Sequence, residues 1–280
     1  MGKKSVITFG QVVALITTLS LALPSASQGG IYWADDFENH LTPNWDTTAC
    51  GIPAPQDGCN AQISTDLAHS PSHALKSVFT STCGNGPAGQ LGCGAYYDRP
   101  HPYTREIWMR FYYFTSNFTY DGNGTKHFYH VPDNDGDPLV LWINIFSSRD
   151  LGAQVAFSPL HICPPGASNA GQLDATCNLF PNIQSKPLND NQWYCIETHA
   201  KSDPTNGIIE VFIDGTKTLG YYNIATCGAQ CSQQWHFVRQ YTQHGLGTRY
   251  IDDLAVGDTR IGCSGVTTTT PSSPTAVSAQ

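Results

Sequence analysis

Charge is scarce in this sequence, and positive charge is scarcest. Lys and Arg number 14 against 22 Asp and Glu, and charged residues make up 13% of the 280. The formal charge of −8 excludes nucleic acid and anionic membrane as general partners, because both are bound through an excess of Lys and Arg. Helical periodicity is nearly absent as well. Beyond the N-terminal run, short apolar stretches are broken every few residues by Gly, Pro, Asn and Asp, which excludes a helical bundle. No internal repeat occurs, which excludes a solenoid or propeller. Ten cysteines are present, but no C-x-x-C pair, so thiolate metal sites and haem attachment are excluded.

The long apolar run is Val6 to Leu23. Lys3 and Lys4 precede it, and Pro24-Ser25-Ala26-Ser27 follows. A short positive region, an apolar run and small residues at the exit predict a signal peptide over 1–27, cleaved near Ser27–Gln28. The alternative is a retained anchor, since the run is just long enough to span a bilayer. Cleavage predicts a secreted, extracellular chain with no membrane partner. Its 12 basic residues would face 22 acids, a formal −10.

All ten cysteines, at 50, 59, 83, 93, 163, 177, 195, 227, 231 and 263, fall after that point, as expected of a disulfide-bonded export. Proximity suggests Cys50–Cys59, Cys83–Cys93, Cys163–Cys177 and Cys227–Cys231, with Cys195–Cys263 left by elimination. Asn117-Phe-Thr119 and Asn123-Gly-Thr125 fit the glycosylation sequon. Residues 264–280 are rich in Thr, Ser and Pro, which predicts an extended, disordered tail. One domain is therefore expected over 28–263, of ordinary size for a large β fold.

Strands are predicted near 31–36, 61–64, 73–80, 94–98, 105–114, 126–131, 139–146, 151–158, 192–200, 208–214, 217–222, 235–242 and 248–257. Asp214-Gly215 between two of these reads as a hairpin turn. Many short strands without helices predict an all-β, antiparallel two-sheet jelly-roll sandwich. Alternation assigns the faces. Ile107, Met109 and Phe111 read as core, with Trp108, Arg110 and Tyr112 opposite. Leu139, Leu141, Ile143 and Ile145 form one apolar face, and Trp142 and Asn144 lie on the other. Tyr194, Ile196, Thr198 and Ala200 stand against Trp193, Cys195, Glu197 and His199. Ala153, Val155 and Phe157 point in, and Gln154 points out. Solvated strand faces are ordinarily Thr, Lys, Glu and Ser. The mixture of rings with hydrogen-bonding groups here suits a sugar, which offers apolar ring faces and hydroxyls. Carbohydrate binding is accordingly assigned to Trp108, Trp142, Gln154 and Glu197. Burial of these faces under loops is the alternative.

Four segments carry a family resemblance: Trp33-Ala-Asp-Asp-Phe-Glu38, Gln192-Trp-Tyr-Cys-Ile-Glu-Thr-His199, Glu210-Val-Phe-Ile-Asp-Gly215 and Tyr250-Ile-Asp-Asp-Leu-Ala-Val256. They resemble concanavalin A-like lectin/glucanase domains, and more narrowly the jelly-roll polysaccharide lyases. The resemblance spans most of 31–257 and implies two stacked antiparallel sheets with the ligand on the concave one. Glucanases of that fold carry a Glu-x-Asp-x-Glu-type cluster. Here Glu197, Glu210, Asp252 and Asp253 are dispersed, which argues against hydrolysis by paired carboxylates.

A lyase acting on a uronate needs a group that stabilises the carboxylate, a base for the sugar C–H and a donor for the leaving oxygen. In the lyases, a Gly-Lys segment supplies a catalytic lysine; Gly124-Thr-Lys-His-Phe-Tyr-His130 matches it, and the resemblance implies Lys126. Arg110 and Asn144 are candidate carboxylate stabilisers, Lys126 or His130 the base, and Tyr112 or His199 the donor. His130 is expected on the same face as Lys126. The lyases also carry paired tyrosines on a following strand; Gln154-Val-Ala-Phe-Ser158 has none, and Tyr112 or Tyr241 would have to substitute. Asp36 and Asp253 are candidate ligands for a structural Ca²⁺ if the terminal strands pair; no cofactor is required for the chemistry. His236 and His244 are too far apart along a strand to share an ion. The expected partner is an extracellular polysaccharide, with the oligomeric state left open. The readings carried forward are a lyase acting by β-elimination on an acidic glycan, a non-catalytic lectin or adhesin, and a structural surface protein.

Overall fold

A computed structural model describes residues 30–39, 60–79, 96–120, 125–131, 141–148, 152–158, 187–224, 226, 234–243 and 245–263. Within its strands, residues 60–61, 96–97, 125–126, 129, 141–148, 152–158 and 241–243 are placed by backbone alone. The signal segment, the tail and eight of the ten cysteines lie outside the described residues.

The described residues form thirteen strands and no helix. These are β1 (Ile31–Asp35), β2 (Asn60–Ser64), β3 (Ala74–Phe79), β4 (Tyr96–Thr104), β5 (Glu106–Tyr120), β6 (Thr125–Val131), β7 (Leu141–Ser148), β8 (Gly152–Ser158), β9 (Tyr194–Lys201), β10 (Gly207–Ile213), β11 (Thr216–Ile224), β12 (Trp235–Gln243) and β13 (Gly245–Gly257). All pairings are antiparallel. The larger sheet runs β11-β10-β9-β5-β13-β3-β2, with β1 also on β13; the smaller runs β4-β12-β6-β7-β8. This is the expected two-sheet jelly-roll sandwich.

Alternation builds the interior. Ile107, Met109, Phe111 and Tyr113 of β5 face inward beside Ile196 and Ala200 of β9, Val211 of β10 and Ile251 of β13. Phe128 and Val238 answer them from the smaller sheet, and Phe111 meets Phe128 at 4.8 Å between ring centres. The β10–β11 hairpin closes through Asp214 and Gly215, both at positive φ (49° and 79°), the backbone of a two-residue turn that continues the strand twist.

Strand β5 runs six residues beyond its expected end, paired to a β13 that starts three residues early. The sequence conceals this extension because the pair is bulged. Register shifts between Leu246 and Thr248, where Gly247 adopts φ 119° and a Cβ would lie 2.4 Å from the Asn117 carbonyl oxygen. Only glycine fits that approach.

Candidate functional site

The residues singled out by sequence fall on different sheets. On the smaller sheet, register decides the faces. Phe128 pairs with Ile143 and Gln240, whereas Lys126 pairs with Asn144 and Gln243. Ile143 and Asn144 are neighbours and therefore face opposite ways. By register, Lys126 holds an outer-face position, and a bulge between Lys126 and Phe128 makes the switch. The same face holds Trp142, paired to Tyr129, and Gln154, two pairs along from the Asn144–Ala156 pair. The backbone thus gathers the positions of Lys126, Trp142, Asn144 and Gln154.

His130 is not with them, contrary to expectation. It pairs with the core residue Val238, is 1% exposed and packs on Trp235 at 5.6 Å. Burial, with His101 nearby, pushes its pKa down to about 3, so the ring is neutral. The bulge at 126–128 broke the simple alternation that put His130 beside Lys126. Its neighbour His127 is also buried: Arg249 Nη1 lies 2.7 Å from Nδ1, and Nη2 donates to Ser77 Oγ at 2.9 Å. Burial and the Arg249 charge hold His127 well below the usual histidine range.

Arg110, Tyr112, Trp108, Glu197 and His199 occupy the outer face of the larger sheet, so they share no surface with Lys126. Their register is consistent: Trp108 pairs with His199, Arg110 with Glu197 and Tyr112 with Cys195. That face is covered. Residues 258–263 cross it as a strap, fixed by the Cys195–Cys263 disulfide. Glu197 accepts the backbone N–H groups of Ile261 (2.7 Å) and Gly262 (2.8 Å), and Arg260 Nε at 3.0 Å. Tyr112 donates its hydroxyl to the Cys263 carbonyl. Arg110 is 1% exposed, beside Asp253, Tyr112, Glu197 and the Gly262 carbonyl. His199 sits between Glu210 (2.8 Å) and Glu106 (3.0 Å), stacked on Trp108 at 4.0 Å. The polar atoms intended for sugar hydroxyls serve the fold instead.

The terminal strands do pair, Asp35 opposite Leu254. Their acids have separate uses. Asp35 accepts Arg99 Nη1 at 2.7 Å, Asp36 accepts the Glu38 N–H at 3.2 Å, and Asp253 accepts Ser70 Oγ (3.1 Å) and lies 2.9 Å from His69 Nδ1. Asp252 accepts the N–H groups of His69 and Ser70, and burial pushes its pKa up to about 7. No group of three His, Cys, Asp or Glu able to hold a metal gathers among the described residues.

Sequence reasoning passed over an ion pair on the smaller sheet. Arg239 of β12 donates Nε and Nη2 to the two oxygens of Asp98 of β4, each at 2.7 Å. Arg239 pairs in register with both Asp98 and Tyr129. The outer face therefore carries one row of Asp98, Arg239, Tyr129 and Trp142, and a second of Gln243, Lys126 and Asn144. Tyr241 lies on the same face, between Arg239 and Gln243 along β12. The alternation of Arg239, Tyr241 and Gln243 was the available signal.

No protein-family model matches the chain, and no curated protein does. Solved structures similar to it include the marine PL-14 alginate lyase from Aplysia kurodai (11% identity, 81% of this chain and 98% of that one, TM-score 0.49). Also similar is an alginate lyase Aly36B mutant in complex with alginate tetrasaccharide (14%, 85% and 95%, TM-score 0.47). A third is the alginate lyase vAL-1 from Chlorella virus (13%, 70% and 88%, TM-score 0.43). At this distance the likeness assigns no residue a role.

Proposed function

We propose that this chain is a secreted polysaccharide lyase that cleaves an acidic glycan by β-elimination on the outer face of its smaller sheet. The observation that carries the reading is the register placing Lys126 between Asn144 and Gln243, with Tyr241 on the same face of the adjacent strand. These residue types supply the required parts. The amides of Asn144 and Gln243 stabilise charge developing on the uronate carboxylate. The Lys126 amine takes the proton from the carbon beside it. The electron pair forms the C=C bond as the glycosidic C–O bond breaks, and the Tyr241 hydroxyl protonates the leaving oxygen. No metal or redox partner is needed to balance the step.

The test is incubation with alginate, polygalacturonate and hyaluronan, reading ultraviolet absorbance from the unsaturated product. Absorbance should rise with at least one polymer, and Lys126→Ala should abolish the rise while leaving binding within about tenfold. Unchanged turnover in Lys126→Ala removes that residue from the mechanism. A second reading rests on β8, which carries no tyrosine in Gly-Ala-Gln-Val-Ala-Phe-Ser. Glycan binding without an absorbance rise on any polymer would make the same face a lectin site.

A further inference from the structure

We propose that Asn117 is an N-glycosylation site, the acceptor of an oligosaccharide transferred from a lipid-linked pyrophosphate donor during export. The inference goes beyond the lyase reading and rests only on its export half. The acceptor sequence needs a reachable Asn amide and a Thr or Ser hydroxyl two residues on. Asn117-Phe-Thr119 of β5 supplies both. Asn117 and Thr119 are exposed. Phe118 between them is 9% exposed and packs on Phe79 at 5.0 Å and Tyr120 at 4.8 Å between ring centres. Alternation thus buries the middle residue and turns the two that the transfer needs toward solvent. The other sequence of this kind, Asn123-Gly-Thr125, has its asparagine outside the described residues.

The local backbone presents the acceptor. Ser116 pairs with Thr248 and Thr119 with Leu246, so Asn117 and Phe118 together oppose the single residue Gly247. Such a bulge interrupts the ladder and bends the strand, and its left-handed residue is Asn117, at φ 50°. The residue across from it is a glycine, which places no side chain beside the amide. The flanks are held firmly. Asp190 accepts Thr115 Oγ1 at 2.6 Å and the Phe118 N–H at 2.9 Å, and the Asn191 N–H donates to the Thr115 carbonyl at 2.7 Å. These bonds use neither the Asn117 amide nor the Thr119 hydroxyl. Asparagine also tolerates the left-handed backbone, which is a reason for Asn at 117 but none for Thr at 119. The transfer balances. Asn117 Nδ2 forms a C–N bond to the anomeric carbon of the donor sugar, and the anomeric C–O bond to pyrophosphate breaks with its electron pair. Nδ2 gives up one proton to the transferase. The exporting cell supplies both the donor and that enzyme.

The test is expression of the full chain in a eukaryotic secretory host, with the protein collected from the medium. Peptide-N-glycosidase in heavy-oxygen water converts each glycan-bearing Asn to an isotopically marked Asp, read by peptide mass. Asn117 should carry the mark in most molecules. Thr119→Val should remove it with Asn117 in place, and Thr119→Ser should keep it, because serine retains the hydroxyl. Asn117→Gly, which adopts the same backbone freely, should be exported with no glycan at that position. Asn123→Gln should leave the Asn117 mark unchanged. An unmarked Asn117 in exported wild type, or a mark that persists in Thr119→Val, overturns the proposal. Should Thr119→Val fail to fold, Thr119→Ala puts the same question with a smaller side chain. Failure of the chain to leave the cell overturns the export reading instead. The chain with residues 1–27 replaced by the host's own leader then decides whether Asn117 accepts the glycan.

Discussion

Glu197 is fully buried, and three donors converge on its carboxyl group: two backbone N–H groups and the Arg260 guanidinium. Hydrogen bonds to a charged group contribute about 1.5–3 kcal/mol each, and removing the acceptor strands its donors. Arg260 is half in solvent, so its share is discounted. Glu197→Ala should therefore cost roughly 2–4 kcal/mol in urea unfolding. Turnover per folded molecule should be unchanged, because Glu197 and Lys126 lie on different sheets. Loss of turnover with an intact fold would return Glu197 to a place in sugar binding. Alternation correctly separates Glu197 and His199 from Ile196 and Ala200. It reports which way a side chain points and is silent on what lies above it. The strap over Glu197 begins some sixty residues later in the chain, so its cover was not legible locally.

The strap, residues 258–263, is the element whose attachment to β9 and β5 is most exposed to a single change. It carries the Tyr112, Arg110 and Glu197 contacts and ends at Cys263, bonded to Cys195 across a sequence separation of 68. In the chain-entropy account, a loop of that length is worth about 4 kcal/mol. Replacing both cysteines with serine should lower stability by up to that amount. It should also raise amide exchange at Ile261 and Gly262 above that of β9, since strap opening then needs only local unfolding. Equal exchange in both proteins would mean that Glu197, without the disulfide, holds the strap. This bond was reachable from sequence by elimination, and each of the thirteen strands overlaps an expected one, although β4 and β5 each run six residues beyond their expected ends. Both follow from period-2 alternation and spacing. The bulges were not legible. One residue inserted at 126–128 sends His130 inward and Lys126 outward, and another near Asp253, at φ 47°, redirects the acids of β13. A bulge is set by both partners of a ladder, so neither strand's own pattern declares it.

At the scale of the whole molecule, buried imidazoles set the response to acid. Burial pushes His101 down to about 4 and His130 to about 3, and with the Arg249 charge holds His127 well below the usual histidine range. Unfolded, each titrates near 6.5. Below that value the unfolded chain takes up protons that the folded imidazoles refuse, so stability falls as pH drops below about 6.5. Asp252 acts in the opposite sense. Raised by burial to about 7, against the 3.8 of an ordinary aspartate, it binds its proton more tightly in the fold across that window. Three groups against one leave the slope with the sign the histidines set, stability falling as pH drops. Urea midpoints at pH 7.5, 6 and 5 should therefore decline steeply below 6.5. Asp252→Asn should steepen the decline by removing the opposing proton. His130→Phe, which retains a ring against Trp235, should make it shallower. A flat profile from pH 7.5 to 5 would show that these histidines carry protons inside the fold, and with that the burial account of the inner face would fail.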